Sequence, residues 1–190
     1  MKTLILTGFG SYDNFPINLS GEIIKRFSIE NEGLSIVKEI IPVSWKRSIR
    51  TYKDIFLKIS SNPLLIILLG IHLSNKFHLE KIGWNFKMGK DIDNKFKFGP
   101  IKYSFYPWIK TTLNIEKAYF ILNKEINISI SHFAGYYLCN YLYYWALYIS
   151  KKEYPVIFIH IPNKGDLLEL VEKIQIIISV IIKLYLKKNL

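Results

Sequence analysis

The sequence predicts an α/β fold, a three-layer α/β/α sandwich built on a mostly parallel, twisted sheet. The chain alternates short apolar runs, which are bounded by turn residues, with longer segments of helical periodicity. The run Pro63–Gly70, PLLIILLG, is apolar throughout, as is typical of a strand buried on both faces of a parallel sheet. Because the chain has 190 residues and 50% of them are hydrophobic, we expect one domain over residues 1–190.

Each predicted element has a local signal. Apolar or alternating runs between Gly and Pro residues predict strands, and Ser, Asn or Asp before a periodic segment predicts a helix start. The predicted strands are Leu4–Thr7, Leu34–Ile41, Pro63–Gly70, Ile126–Ile130 and Pro155–Pro162. The predicted helices are Leu19–Phe27, a segment from the cap Ser44 toward Lys58, Asn114–Lys124, an aromatic segment after Gly135, and a final helix capped by Asp166 and Glu169. Between residues 74 and 112 we expect loops and short extended pieces.

The aromatic segment lies within an uncharged run, Ile126–Ser150, which raises the question of a membrane span. A spanning helix needs about 20 mainly apolar residues. Polar residues and Gly135 interrupt the first half of the run, and the remainder, Tyr136–Ile149, is too short and contains Asn140. We therefore expect a helix buried between the sheet and its neighbours, and no membrane partner.

Composition limits the partners and the compartment. The net charge of +11 suggests nucleic-acid binding, but the basic residues are dispersed and no zinc-finger spacing or RNA-binding motif is present. We therefore expect a solvated basic surface and no nucleic-acid partner. The single cysteine cannot form an internal disulfide, and the apolar stretch after Met1 is too short for a signal peptide. Both observations favour a cytoplasmic location.

Cys139 and His160 are candidates for a nucleophile and its base. If a helix begins within Tyr136–Leu138, Cys139 lies in its first turn, where free N–H groups and the helix dipole favour the thiolate. His160 ends a predicted strand, and ligand sites in parallel sheets lie at the carboxyl ends of strands. If the strands Ile126–Ile130 and Pro155–Pro162 are neighbours, the two side chains meet at one edge. A buried structural cysteine and a core histidine are the alternatives.

Glu80 is a candidate for the group that orients the histidine, because a carboxylate accepts the imidazole N–H. It follows the strand Pro63–Gly70, again on the carboxyl-end side, and a surface glutamate is the alternative. Other motifs are incomplete. The GFG at Gly8–Gly10 lacks the third glycine of a dinucleotide site, and the histidine spacings match no metal site. The sequence therefore predicts neither a metal nor an organic cofactor.

These residues resemble the motifs of the pyroglutamyl peptidase I family, the cysteine pyrrolidone-carboxylate peptidases. The family motif S-A-G-x-Y-L-C-N is similar to HFAGYYLCN, with the best match over Ala134–Asn140. F-I-H-V-P is similar to FIHIP at His160, and E-[RK]-x-A-x-N is similar to EKIGWN at Glu80. Weaker matches are TGFGSY for T-G-F-x-P-F, NLS for N-P-S, and IPVSW at Ile41–Trp45 for L-P-V-S-W. The resemblance covers essentially the whole chain and keeps the family order Glu, Cys, His.

The resemblance implies an α/β/α sandwich and a reaction. That reaction is hydrolysis of the peptide bond after an N-terminal pyroglutamyl residue. Cys139 would be the nucleophile, His160 the base and then the acid, and Glu80 the orienting group. The implied partners are peptides with N-terminal pyroglutamate and further copies of the chain, since the family forms homo-oligomers.

The resemblance also implies a substrate pocket. Phe9 and Tyr12 would flank the flat, neutral lactam ring, and Asn18 would be a further substrate-binding residue. Lys90 would support the oxyanion at the position where the family has an arginine. Such a pocket should be apolar with a few polar contacts.

Several positions depart from the family pattern. Tyr12 and Ser11 stand where the family has Phe and Pro, and Lys90 offers a point charge where arginine offers a fixed fork. The loop after Gly70 is shorter and lacks the family's arginine, and the segment after Pro162 lacks P-S-M-S-L. Because these changes lie around the site, an alternative function is that of a catalytically impaired relative that binds a pyroglutamyl or similar lactam group without efficient turnover.

Overall fold

The computed structural model describes residues 2–12, 15–29, 33–103 and 106–188. The strands in these ranges are β1 (Lys2–Phe9), β2 (Leu34–Ile41), β3 (Leu65–His72), β4 (Phe77–Glu80), β5 (Ile82–Trp84), β6 (Lys87–Lys90), β7 (Phe96–Gly99), β8 (Trp108–Lys110), β9 (Ile128–Ser131) and β10 (Val156–Pro162). The helices are α1 (Leu19–Arg26), α2 (Trp45–Ile55), α3 (Ile115–Leu122), α4 (Leu138–Ser150) and α5 (Leu167–Lys188), with a short 3-10 turn at Phe56–Lys58.

Six of these strands form a central sheet in the order β2-β1-β3-β10-β4-β9. The pairings of β1 with β2 and β3, of β3 with β10, and of β4 with β9 are parallel. Only the pairing of β10 with β4 is antiparallel among the described strands of this sheet. The prediction of a mostly parallel sheet is therefore confirmed, with β4 and β9 running against the other four strands.

Helices cover both faces of the sheet, which confirms the predicted three layers. Successive strand residues point to opposite faces: Leu4 and Leu6 pack with α1, α3 and α5, whereas Ile5 packs with α2 and α4. The strands are apolar on both faces because each face meets a helical layer. His160 and Glu80 belong to the face covered by α2 and α4, since their strand neighbours Ile159 and Leu79 point to the other.

The predicted helix caps are confirmed. Ser44, Asn114 and Asp166 each accept a hydrogen bond from the backbone N–H three residues further on, at 3.0–3.1 Å. The aromatic segment forms α4, whose side chains are mostly buried against the sheet. In the part of the chain that the structure describes, no helix is long and apolar enough to cross a membrane.

The region 74–112 contains the short extended pieces that the sequence predicts, but the position of one of them in the fold was not predicted. Strands β5 and β8 form one small ladder, and β6 and β7 form another. Strand β4, however, inserts into the central sheet between β10 and β9. In addition, β3 continues beyond the predicted end at Gly70 as far as His72.

Asn140 fixes helix α4 to the adjoining loop. Its side-chain carbonyl accepts from the Trp84 N–H, and its amide donates to the carbonyls of Trp84 and Phe86, all at 2.8 Å. Asn140 is fully buried, so these bonds satisfy backbone groups that are largely shielded from water. They hold the start of α4 in place, one residue after Cys139.

We expect Asn140→Ala to lower the free energy of unfolding by about 3 kcal/mol, because it leaves backbone polar groups unpaired in a poorly hydrated place. Urea denaturation followed by circular dichroism measures the change. Asn62→Ala, at an exposed position, is the matched control and should change stability by less than about 0.5 kcal/mol. An equal effect of the two substitutions would show that Asn140 does not anchor the helix.

Candidate active site

Glu80 and His160 are held together by the antiparallel pairing of β4 and β10. Glu80 lies directly opposite Phe158 in this ladder, and His160 is two residues further along β10, so both side chains point to the same face. The Glu80 Oε1 is 2.7 Å from the His160 Nδ1. The two residues are 1% and 3% exposed, respectively. The contact orients the imidazole and leaves its other nitrogen, Nε2, for a second partner.

That partner is Cys139, whose thiol lies close enough to His160 to raise the pKa of the imidazole. Cys139 is the second residue of α4, after the N-cap Tyr137, which confirms the predicted position in the first turn. The sulfur lies over Gly70 of β3. A β-carbon at Gly70 would come within 3.0 Å of the Cys139 Sγ and 2.7 Å of the Phe158 ring, so only glycine leaves room for the thiol.

The expected route by which Cys139 and His160 meet is wrong. The strand before Cys139, β9, is not adjacent to β10, because β4 lies between them and both β4 and β9 run opposite to β10. Their carboxyl ends therefore do not share an edge of the sheet. After β9 the chain instead turns back toward β10 through residues 132–137, where Gly135 has a φ of +79°. The first turn of α4 then places the Cys139 thiol beside His160.

The site is arranged to hold a positive imidazole. Burial lowers the pKa of His160, but hydrogen bonds and charge attraction from Cys139 and Glu80 outweigh burial and raise the pKa to about 9. The charged form is favoured because a thiolate and a carboxylate both accept from the ring. Among the described residues, no donor reaches the second Glu80 oxygen, Oε2. His160 is therefore the main group that compensates this buried carboxylate.

A small cleft opens beside the thiol. It is lined by three residues predicted to bind substrate, Phe9, Tyr12 and Asn18, and by Val43, Ile71, Tyr137, Leu138 and Cys139. Its walls are mainly apolar or aromatic. The polar atoms of Asn18 are engaged within the protein: the amide donates to the Gly10 carbonyl at 3.0 Å, and the oxygen accepts from the Ser20 N–H at 3.1 Å. Asn18 therefore shapes this wall while capping α1.

Tyr137 is a wall of the cleft that the sequence analysis missed. Its ring makes an edge contact with Trp45, with 5.4 Å between centroids. Its hydroxyl donates to the Lys90 carbonyl at 2.7 Å. A β-carbon at Gly89 would lie 2.8 Å from the same ring. The available signal was the motif S-A-G-x-Y-L-C-N, because its fixed tyrosine aligns with Tyr137 and its variable position with Tyr136.

Lys90, predicted to support the oxyanion, ends strand β6 with an exposed side chain. Lys90 contacts the site through its backbone carbonyl, which accepts a hydrogen bond from the Tyr137 hydroxyl. Strand β6 is further joined to the loop before α4, since the Met88 N–H donates to the Tyr136 carbonyl at 2.8 Å. The hairpin of β6 and β7 therefore borders the site, with the Lys90 side chain exposed to solvent.

Two further histidines lie beside His160 and were also missed. The His72 ring centroid is 5.3 Å from that of His160 and 4.7 Å from that of His78. Burial, followed by the charge of a neighbouring histidine, lowers the pKa of both His72 and His78, and Glu80 opposes the effect. Within the described ranges, no group of three or more His, Cys, Asp or Glu residues could hold a metal ion.

We expect the imidazole of His160 to titrate near pH 9, where its pKa is raised to about 9. The stability that this proton contributes is complete below about pH 6.5, the usual histidine pKa, and is lost as the pH rises through 9. Histidine NMR resonances followed from pH 5 to 10 give the midpoint. Glu80→Gln should lower the midpoint by about 1 unit or more. A wild-type midpoint at or below 6.5 would contradict this account.

Comparison with known proteins agrees with the motifs. A sequence model of the pyroglutamyl peptidase family matches residues 1–176. A pyrrolidone-carboxylate peptidase from Lactobacillus helveticus is 32% identical over 170 residues, covering 85% of this chain and 84% of the relative. One from Thermosipho melanesiensis is 28% identical over 177 residues, covering 85% and 83%. The solved pyrrolidone carboxyl peptidase of Thermococcus litoralis has a TM-score of 0.89 at 25% identity, covering 100% of this chain and 97% of that one. The chain therefore belongs to the pyroglutamyl peptidase family of cysteine peptidases.

Proposed function

We propose that the protein is a cysteine exopeptidase that removes an N-terminal pyroglutamyl residue from peptides. The observation that carries the proposal is the buried chain of contacts from Glu80 through His160 to Cys139, next to a small apolar cleft. Nucleophile, base and orienting group within hydrogen-bond reach are the usual signature of covalent catalysis. Family membership supplies the substrate class.

In the proposed first step the Cys139 thiolate attacks the pyroglutamyl carbonyl carbon. The new C–S bond forms a tetrahedral oxyanion. His160, charged at neutral pH, donates its Nε2 proton to the leaving nitrogen, and the C–N bond breaks. The shortened peptide leaves as an amine, and the pyroglutamyl group remains on sulfur as a thioester. Glu80 holds the ring so that Nε2 faces the reacting atoms.

In the second step water replaces the peptide. The neutral His160 takes a proton from a water molecule while the water oxygen bonds to the thioester carbon. Collapse of the second tetrahedral intermediate breaks the C–S bond. Pyroglutamic acid leaves, and the thiolate of Cys139 and the imidazolium of His160 are restored. The first His160 proton leaves with the amine and water supplies its replacement, so the cycle consumes one water molecule and involves no redox change.

Two sources of positive potential are proposed to stabilise the oxyanion. The Cys139 N–H lies in the first turn of α4, where backbone donors have no intrahelical acceptor, and the helix dipole adds partial positive charge. Lys90 is proposed to add a full charge from the rim of the site. Because Lys90 is exposed, its contribution should be smaller than that of the backbone donor.

The lactam is proposed to bind in the cleft between Phe9 and Tyr12, with Asn18 in the wall. A flat, neutral ring suits an apolar slot that excludes larger or charged N-terminal residues. Tyr12 stacks on Phe15, with 5.1 Å between ring centroids, and lies 6.5 Å from the Tyr137 ring. This aromatic cluster would cover the bound ring.

A second candidate function is binding of a pyroglutamyl or similar lactam group without efficient turnover. Tyr12 and Lys90 favour it, because they replace the phenylalanine and arginine of the family pattern. The two functions differ in the release of product and share the ability to bind. Measurement of turnover therefore separates them.

The proposal extends to the setting of the enzyme. We propose one domain over residues 1–190, a cytoplasmic location that suits a free thiol, and a homo-oligomer. Exposed apolar residues on the β6–β7 hairpin, Phe96 and Phe98, offer surface for self-association. We propose neither a nucleic acid nor a membrane as a partner. Light scattering tests the oligomer, and salt-dependent filter binding tests association with nucleic acid.

The first prediction of this function concerns the nucleophile. Wild-type protein should release a fluorescent amine from a pyroglutamyl anilide, and iodoacetamide should abolish the release. Cys139→Ala should lower kcat by about 10³-fold or more, because no other group can form the acyl intermediate. Asn62→Ala is the matched control and should keep full activity. No release by the folded wild type would favour the impaired-relative function, and full activity of Cys139→Ala would exclude the mechanism.

The second prediction concerns Lys90. Lys90→Ala should lower kcat about 10-fold with little change in KM. A positive charge that interacts only with the oxyanion stabilises the transition state and not the bound substrate. Lys90→Arg should equal or exceed wild type. Lys97→Ala on the paired strand β7 removes the same charge at a different place and should have a smaller effect. Equal losses for the two alanine variants would indicate a general charge effect without a specific role for Lys90.

A further inference from the structure

Three imidazoles form a row across the end of the sheet. The ring of His72 of β3 is in the middle: its centroid lies 5.3 Å from that of His160 of β10 and 4.7 Å from that of His78 of β4. His72 is two residues after Gly70 and therefore points to the same face as the thiol. Whereas His160 is buried, His72 is exposed. His72 is therefore the solvent-accessible member of this pair.

The hydrogen bonds of His72 fix its protonation. The Ser74 backbone N–H donates to the His72 Nδ1 at 3.1 Å. Because a backbone N–H can only donate, this nitrogen carries the lone pair, and the proton of the neutral ring is on Nε2. Burial and the charge of His160 lower the pKa of His72, which keeps the ring neutral at physiological pH. His72 therefore presents a single N–H donor, on Nε2.

Neighbouring side chains hold this donor in place. The Ser74 Oγ lies 3.0 Å from the His72 Nδ1 and 2.6 Å from the His78 Nε2. The His78 Nδ1 in turn lies 2.9 Å from the Ser129 Oγ. The network runs from β3 through β4 to β9, so it ties the His72 ring to three strands of the sheet. A donor held in this way loses little conformational entropy when it binds.

The position of His72 assigns it to one half of the substrate. Phe9 and Tyr12, which line the proposed lactam pocket, lie on the β1 side of Cys139. His160, which protonates the leaving nitrogen, lies on the β10 side. The scissile bond must therefore run from the β1 side toward β10. The His160 ring lies 5.3 Å from the His72 ring, so the first residue of the leaving peptide passes beside the exposed His72.

We propose that His72 binds the leaving peptide: its Nε2–H donates to the carbonyl oxygen of the residue that follows pyroglutamate. This inference rests on the proposed function and extends it to substrate selection. Every peptide substrate has this carbonyl, whereas an anilide has none. His72 therefore makes the enzyme favour peptides over simple amides, through main-chain recognition that does not depend on the identity of the next side chain.

The test compares pyroglutamyl-Ala-Ala with a pyroglutamyl anilide. His72→Ala should lower kcat/KM for the peptide about 10-fold more than for the anilide, which is the value of one hydrogen bond. His72→Gln keeps an N–H donor and should recover part of the preference. Leu73→Ala, at the exposed neighbouring position, is the matched control and should leave the ratio of the two substrates unchanged.

Equal losses of kcat/KM on both substrates, or no loss on either, would overturn the assignment of His72. Failure of wild-type protein to cleave either substrate would contradict the proposed function without deciding this inference. Binding then decides it. In the Cys139→Ala protein, calorimetry should give a Kd for pyroglutamyl-Ala-Ala that rises about 10-fold on adding His72→Ala. The Kd for pyroglutamyl methylamide, which lacks the second carbonyl, should rise much less, and parallel changes would refute the contact.

Discussion

The buried contact between Glu80 and His160 is the interaction on which the rest of the site depends. Removing a carboxylate from water costs several kcal/mol unless a partner compensates it, and the imidazolium of His160 is that partner at 2.7 Å. The pair is possible because β4 runs antiparallel beside β10, which sets the two side chains diagonally on one face. The same contact directs the second ring nitrogen toward Cys139. A substitution at Glu80 would therefore change the protonation of His160, the orientation of its ring and its distance from Cys139 together.

Helix α4 fixes Cys139, the proposed nucleophile, from the other side. Its aromatic residues pack against the sheet and against α2, so the helix start has little freedom to shift. Asn140, one residue after the thiol, bonds to the backbone on either side of a turn. Below the sulfur, Gly70 provides space that any side chain would occupy. Packing from above and the absence of a side chain below together determine where Cys139 meets His160.

The residues around Glu80, His160 and Cys139 distinguish this chain within its family. In the proposed mechanism Glu80, His160 and Cys139 carry out the bond breaking, whereas Tyr12 and His72 contact the substrate and Lys90 stabilises the oxyanion. Such a division lets a family keep one reaction while individual members change substrate preference. The row of histidines illustrates it, since His72 and His78 add polar groups beside the base without replacing it.

Local chemistry in the sequence determined most of the elements: β2 has its predicted bounds, the caps at Ser44, Asn114 and Asp166 are as expected, and Cys139 lies in the first turn of its helix. Motif order then predicted Glu80, Cys139 and His160 as site residues, and the structure brings these three together. Tertiary structure decided the rest. A strand as short as β4 has no periodicity that reveals its partner or direction, because pairing depends on residues distant in the chain. For the same reason only the folded sheet brings His72 beside His160 and moves β9 away from β10.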